Sequence, residues 1–266
     1  MKYSLSAKNL VCRNLEARAS YCAGLLNAEH TKEITGMLRS DSGLLSFTFN
    51  QAITNAVMPE RILQRFVVDY FAERHSPFTL WHCANKPFDD EPLAELGLKR
   101  DRSLVAMAVE VQRLAADEAL PEDLRGKLEI APVRTEGLDE YAELQASLFN
   151  GSREGPQIKK FYQRLKEIPE QKRSRLKYFI AHLDGEPVAG GCLFASADAL
   201  GFYDLATAEN YRGRGIGRAL FNYLVGQALH SHHKFAVALA PEERQGLLLD
   251  TGFFAVGEVA RYRFVP

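Results

Sequence analysis

One stretch restricts the folding options of this chain more than any other: Leu205-Ala206-Thr207-Ala208-Glu209-Asn210-Tyr211-Arg212-Gly213-Arg214-Gly215-Ile216-Gly217. An apolar strand end runs into a loop with three glycines in five residues, and then into the amphipathic series Ala219, Leu220, Tyr223, Leu224 and Ala228. Glycine adopts positive φ at no steric cost and leaves no Cβ in the way of a ligand. Several backbone N–H groups can then point one way at a helix N-terminus, where the helix dipole favours an anion. Arg212 and Arg214 add positive charge. The stretch reads as a strand–loop–helix unit with a pyrophosphate cradle at its bend.

Two common phosphate motifs do not fit. A Walker A loop requires Lys-Ser/Thr after its last glycine, whereas Gly217 is followed by Arg218-Ala219. A dinucleotide fingerprint requires a third glycine, and that place holds Arg218 or Leu220, depending on the register. Arg212-x-x-Gly215-x-Gly217 does fit a known pattern. Here the chain resembles the GNAT acetyltransferases, whose acyl-CoA motif is Gln/Arg-x-x-Gly-x-Gly/Ala. The resemblance implies that Arg212, Gly213, Arg214, Gly215, Ile216, Gly217 and Arg218 hold the CoA pyrophosphate. It also implies that the backbone of Leu205, Ala206 and Thr207 meets the pantetheine arm. Acetyl-CoA is then the co-substrate, and no metal is expected.

Around the loop, elements follow in the order of that family. Leu128–Val133 is a strand, Leu138–Phe149 a helix, and Ile158, Phe161, Tyr162, Leu165 and Ile168 recur at helical spacing. Tyr178–Leu183 and Pro187–Ala195 are strands joined by Asp184-Gly185, a hairpin signal. After Phe202–Thr207 and the loop helix come a strand at Phe235–Ala240, a short helix at Glu242–Asp250 with Gly252 as its C-cap, and a closing strand at Val256–Val265.

The first half repeats parts of this order. Leu93-x-x-Leu-Gly-Leu98 precedes Met107–Val111 as Leu248–Phe253 precedes Tyr262–Val265, with Gly97 and Gly252 each ten residues before the strand. Ile62–Ala72 followed by Phe78–Trp81 matches the loop helix and its next strand. The place of the glycine loop holds Ala56–Arg61, which lacks glycine and carries Glu60, a residue that repels phosphate. The expected fold is therefore α/β (α+β). It consists of two tandem GNAT-like domains, each a mixed, mostly antiparallel sheet flanked by helices. Residues 1–115 form a degenerate domain without a cofactor loop, 116–127 a polar linker, and 128–266 the acetyltransferase domain.

Composition narrows the partners. The formal net charge of −1 gives no sign of nucleic acid binding. No run of about 18 apolar residues crosses a membrane, and the first thirty residues lack an apolar signal region, which reads as cytoplasmic. Cys12, Cys22, Cys83 and Cys192 are too scattered for a zinc site. His230, His232 and His233 suit a helix C-terminus. The basic stretch 152–177 reads first as a solvated helix face, and Trp81 as core.

The family's usual acid and base do not carry over. Its glutamate on the strand before the loop falls at Gly201, its asparagine at Pro241, and its thiolate-protonating tyrosine at Leu248. Strand alternation puts 201, 203 and 205 on one face and Asp204 on the other, so Tyr203 is the catalytic candidate. The resemblance implies acetyl transfer to a small-molecule or peptide amine. The missing acid and base leave open a non-catalytic acyl-CoA-binding regulatory module. The glycine-free half is expected to form the acceptor floor or a homodimer face.

Overall fold

The computed structural model describes residues 2–26, 31–117 and 119–266. Glu118 of the linker lies outside the described residues. In chain order the first half runs α1 (Lys2–Leu26), β1 (Lys32–Ile34), β2 (Met37–Ser40), β3 (Gln51–Thr54), α2 (60–72), β4 (Phe78–His82), α3 (Asp90–Glu95) and β5 (Lys99–Glu110). The second runs β6 (Leu128–Pro132), α4 (Leu138–Ser147), α5 (Glu154–Lys166), β7 (Leu176–Leu183), β8 (Glu186–Ala195), β9 (Leu200–Thr207), α6 (Ile216–Leu229), β10 (Phe235–Ala240), α7 (Gly246–Leu249) and β11 (Phe254–Phe264). The expected β-α-α-β-β-β-α-β-α-β order is present. Asp184 and Gly185 both have positive φ, 52° and 84°, as a two-residue type I′ hairpin requires. Gly97 and Gly252 are both left-handed, at 78° and 98°, and end matching short helices.

Among the described residues, all strands join one eleven-stranded sheet, ordered β1-β2-β3-β4-β11-β5-β10-β9-β8-β7-β6. The two halves exchange their closing strands. β5 of the first half pairs antiparallel with β10 of the second, and β11 of the second pairs with β4 of the first. β5 and β11 lie side by side between them. The halves thus share a continuous backbone ladder. The connection between them is also packed down. Leu114 and Leu124 are buried in the core of the second half, Ala115 N–H donates to Thr251 O at 3.1 Å, and Asn222 Nδ2 donates to Asp117 O.

Helices α2 and α6 cover one face of the sheet. α2 packs on Ala52, Phe78, Leu80 and Tyr262, and α6 on Phe179, Leu193, Phe202 and Ala238. Helices α1, α4 and α5 cover the other face. No sequence signal marked α1. Its buried side includes Lys8, Asn14 and Arg18 beside Val11, Leu15 and Ala19, so an apolar stripe does not stand out. Of these polar residues, Arg18 lines the cavity described below and Asn14 accepts from Tyr203, while Lys8 bonds Ala84 O and Asn85 Oδ1.

Candidate active site

β9 and β10 are parallel neighbours, and their pairing runs only from Ala236↔Leu200 to Ala238↔Phe202. Beyond that point they part, leaving a gap between residues 203–207 and 239–241. In the first half the matching strands stay zipped from Gln51↔Thr79 to Thr54↔His82, and two more bonds extend the ladder, Thr79 N to Asn50 O and Cys83 N to Thr54 O. Only the β9–β10 pair opens.

At the end of β9 the chain bends through Gly213 (φ 78°) and Gly215 (φ 82°) into α6. Gly215 caps the helix in the left-handed region. Among the described residues, the amides of residues 213–218 have no intramolecular acceptor, and no side chain caps the helix start. Gly217 faces Thr207, where a Cβ would sit 2.9 Å from Oγ1. Arg212 Nε donates to Thr207 O at 3.1 Å, tying the loop to the strand. Arg214 pairs with Asp123 at 3.7 Å and Arg218 with Asp250 at 2.8 Å, both on the surface. Ile216 is buried in the core under the loop.

The gap opens into a cavity of about 660 Å³ lined by both halves. Leu205, Ala206, Thr207, Arg212, Gly217, Pro241 and Leu248 come from the second half; Leu15, Arg18, Gln51, Thr79 and Trp81 come from the first. The exchanged strand β11 adds Arg261 and Arg263.

A bulge in β9 overturns the expected alternation. The register against β8 slips between Gly190↔Ala206 and Cys192↔Tyr203, and Asp204 takes φ 55°. One extra residue reverses the facing of everything after it. Tyr203 and Asp204 therefore both look toward α1, whereas Leu205 turns to the other face and packs with the α6 core. The Asp204 carboxylate meets Arg18 at 2.6 Å. Its Oδ1 carries no hydrogen bond among the described residues. Gln145 Nε2 holds the Asp204 carbonyl at 2.9 Å.

Tyr203 is bound on two sides. Its hydroxyl donates to Asn14 Oδ1 at 2.7 Å, and the Arg18 guanidinium lies 4.4 Å from its ring centre. Burial pushes the Tyr203 phenol well above its ordinary range. Gly201 lies directly beneath: a Cβ there would fall 2.1 Å from Asn14 Oδ1. The family's glutamate has no room, because α1 fills its place. Pro241 and Leu248 line the cavity without any acid or base function.

In the first half's wall, Gln51, Thr79 and Arg263 form one row across β3, β4 and β11, with Trp81 opposite Arg261 in the next. Asp101 pairs with both Arg261 and Arg263. Burial holds Arg261 below the usual guanidinium range despite Asp101. Gln51 Oε1, Trp81 Nε1 and Arg261 Nε are buried without a hydrogen-bond partner among the described residues. Trp81 belongs to the core, as expected, and also borders the cavity. Among the described residues no group of three or more His, Cys, Asp or Glu is placed to hold a metal.

Residues 139–246, with the parted strands and the glycine loop among them, match the acetyltransferase (GNAT) family. This segment is a GNAT acetyltransferase domain. No curated protein matches the chain. Solved structures show the same fold around the GNAT domain. A GCN5-related N-acetyltransferase from Kribbella flavida is 15% identical, with 96% of each chain covered and a TM-score of 0.67. A conserved protein of unknown function from Staphylococcus epidermidis ATCC 12228 is 14% identical, covering 90% of this chain and 95% of that one, with a TM-score of 0.66. A tandem GNAT protein from the clavulanic acid biosynthesis pathway is 13% identical, covering 85% and 77%, with a TM-score of 0.52. The zipped β3–β4 pair makes the first half a GNAT-like repeat without the opening that the GNAT domain has.

The predicted loop residues lie together, but the rest of the cavity wall was not visible in the sequence. Arg18, Gln51, Asp204, Arg261 and Arg263 come from four separate strands or helices. No local sequence signal pointed to them, because they belong to different parts of the chain.

Proposed function

We propose that this protein transfers an acetyl group from acetyl-CoA to a primary amine by direct attack. The observation that carries this reading is the parting of β9 from β10 directly above a helix start whose amides lack acceptors. In this reading the amides of 213–218 and Arg212 bind the pyrophosphate, with Arg214 and Arg218 swinging from their surface partners to add charge. Backbone groups of Leu205, Ala206 and Thr207 run beside the pantetheine arm. A strand N–H at the bulge receives the developing oxyanion, a contact that contributes about 3 kcal/mol where measured elsewhere.

Among the described residues, Asp204 is the only carboxylate on the cavity wall. We assign it, directly or through one water, to take the proton from the acceptor ammonium at its free Oδ1. The neutral amine then attacks the thioester carbon and forms the N–C bond, the C–S bond breaks, and one of the two nitrogen protons passes to the departing CoA thiolate, leaving the amide with the other. Tyr203 becomes a positioning residue: its proton is committed to Asn14, and its ring supports Arg18, which in turn holds Asp204.

Titration calorimetry with acetyl-CoA tests the cofactor reading, with Gly215→Glu expected to abolish binding. Absence of binding by the unaltered protein rejects it. Thiol release against an amine panel tests transfer. Tight acetyl-CoA binding with no turnover on any amine establishes instead a regulatory acyl-CoA-binding module, the alternative that Gly201, Pro241 and Leu248 favour.

A further inference from the structure

We propose that the acceptor is an amino-carboxylate, a primary amine whose own carboxylate docks on Arg261, Arg263 and Trp81 Nε1. The inference rests on the cavity being the acceptor site.

Arg261 and Arg263 are alternate residues of one strand, so both project from the same sheet face. Trp81 and Thr79 stand opposite them on β4, about 5 Å away across the ladder. One carboxylate, Asp101, serves both guanidinium groups, which leaves one positive charge in surplus. The Arg261 side chain is only 19% exposed, so water compensates that charge poorly. Arg261 Nε and Trp81 Nε1 are two buried N–H donors without acceptors. Trp81 as a whole is 9% exposed. Buried donors without partners are rare in folded proteins, and here they share a wall with a cationic pair. Together they match a planar, doubly accepting anion, and guanidinium groups suit a carboxylate well.

Gln51 sets the polarity along the row. Its Nε2 donates to Thr48 O at 2.7 Å, which orients the amide and leaves Oε1 buried and unpartnered. That oxygen accepts from a second polar N–H or O–H of the ligand. Asp204 at the parted strands accepts from the ammonium. The cavity therefore presents a negative group near the thioester gap and a cationic wall across β4 and β11. A zwitterionic acceptor satisfies both ends, whereas a polyamine or a simple alkylamine would leave the surplus positive charge of the Arg261–Arg263 wall uncompensated.

Trp81 is the only tryptophan in the chain, so its fluorescence reports ligands on this wall without needing turnover. The experiment titrates the full chain with the common L-amino acids, β-alanine and 4-aminobutyrate. The matching carboxamides, the decarboxylated amines and O-phosphoethanolamine are titrated alongside. A saturable Trp81 response to at least one amino-carboxylate is expected, with its carboxamide binding about 10- to 100-fold more weakly. Arg263→Gln should weaken that carboxylate by a similar factor and leave its carboxamide unaffected. Acetyl-CoA affinity by calorimetry should be unchanged in this variant, which also shows that it folds. Equal binding of carboxylate and carboxamide, response to phosphoethanolamine alone, or no response to any carboxylate overturns the inference. Because the titration needs no acetyl-CoA, failure of the acetyl-transfer reading appears separately, as loss of acetyl-CoA binding or of thiol release.

Discussion

Gly201→Ala should be among the most damaging single-methyl additions in this protein. The new Cβ would lie 2.1 Å from Asn14 Oδ1 and 2.3 Å from Tyr203 Cε2, far inside contact distance. Neither neighbour can yield freely. Asn14 Nδ2 donates to Ser196 Oγ at 2.9 Å and Ala199 O at 2.8 Å, while its Oδ1 accepts from Tyr203. Relieving the clash sacrifices these three bonds, at about 1 kcal/mol each, and adds about 1–3 kcal/mol of overpacking strain. The expected loss is about 4–6 kcal/mol. Urea unfolding followed by Trp81 fluorescence reads it, since Trp81 packs in the same cluster as α1. Asn14→Ala alone should cost about 3 kcal/mol, because the same three bonds disappear. In the double variant they are lost only once and the oxygen is gone, so it should be at least about 3 kcal/mol more stable than the sum of the singles. A Gly201→Ala cost below about 0.5 kcal/mol, or simple additivity, would refute the claim that α1 fills the family's glutamate position.

Three further outcomes follow from the fold. Arg18→Met leaves Asp204 without its partner and should lose about 3–5 kcal/mol, largely restored when Asp204→Asn is added, as thermal melting would show. His82 accepts from Thr54 at Nδ1 and donates to Lys86 O from Nε2, and burial lowers its pKa from 6.5. The unfolded chain thus binds this proton more readily, so stability should fall as pH drops below about 6.5 toward the lower native value; His82→Gln should flatten that slope in chemical unfolding. Because β5 and β11 are exchanged, residues 116–266 expressed alone expose the β10 edge and should be insoluble. Co-expression with residues 1–115 should give a co-purifying complex, and a soluble, monomeric 116–266 fragment would contradict the shared sheet.

Local chemistry announced much of the second half. The Asp184-Gly185 turn, the glycine bend at 213–217 and the C-cap at Gly252 each depend on positive φ, which only a few residue types tolerate, so they are written where they occur. The Gly97–Gly252 repeat was readable for the same reason. Strand alternation failed at Asp204. A bulge depends on how β9 meets β8, and no property of residues 201–205 alone reveals that slip.

Sequence neighbours alone established the glycine bend and the order of elements around it, since both arise from backbone preferences acting over a few residues. The far wall of the cavity had to await assembly. Arg18, Gln51, Trp81 and Arg261 are scattered from near one end of the chain to near the other. They meet because the closing strands trade places and α1 lies across the join. That arrangement is set by long-range strand pairing and by burial against partners that local pattern cannot name.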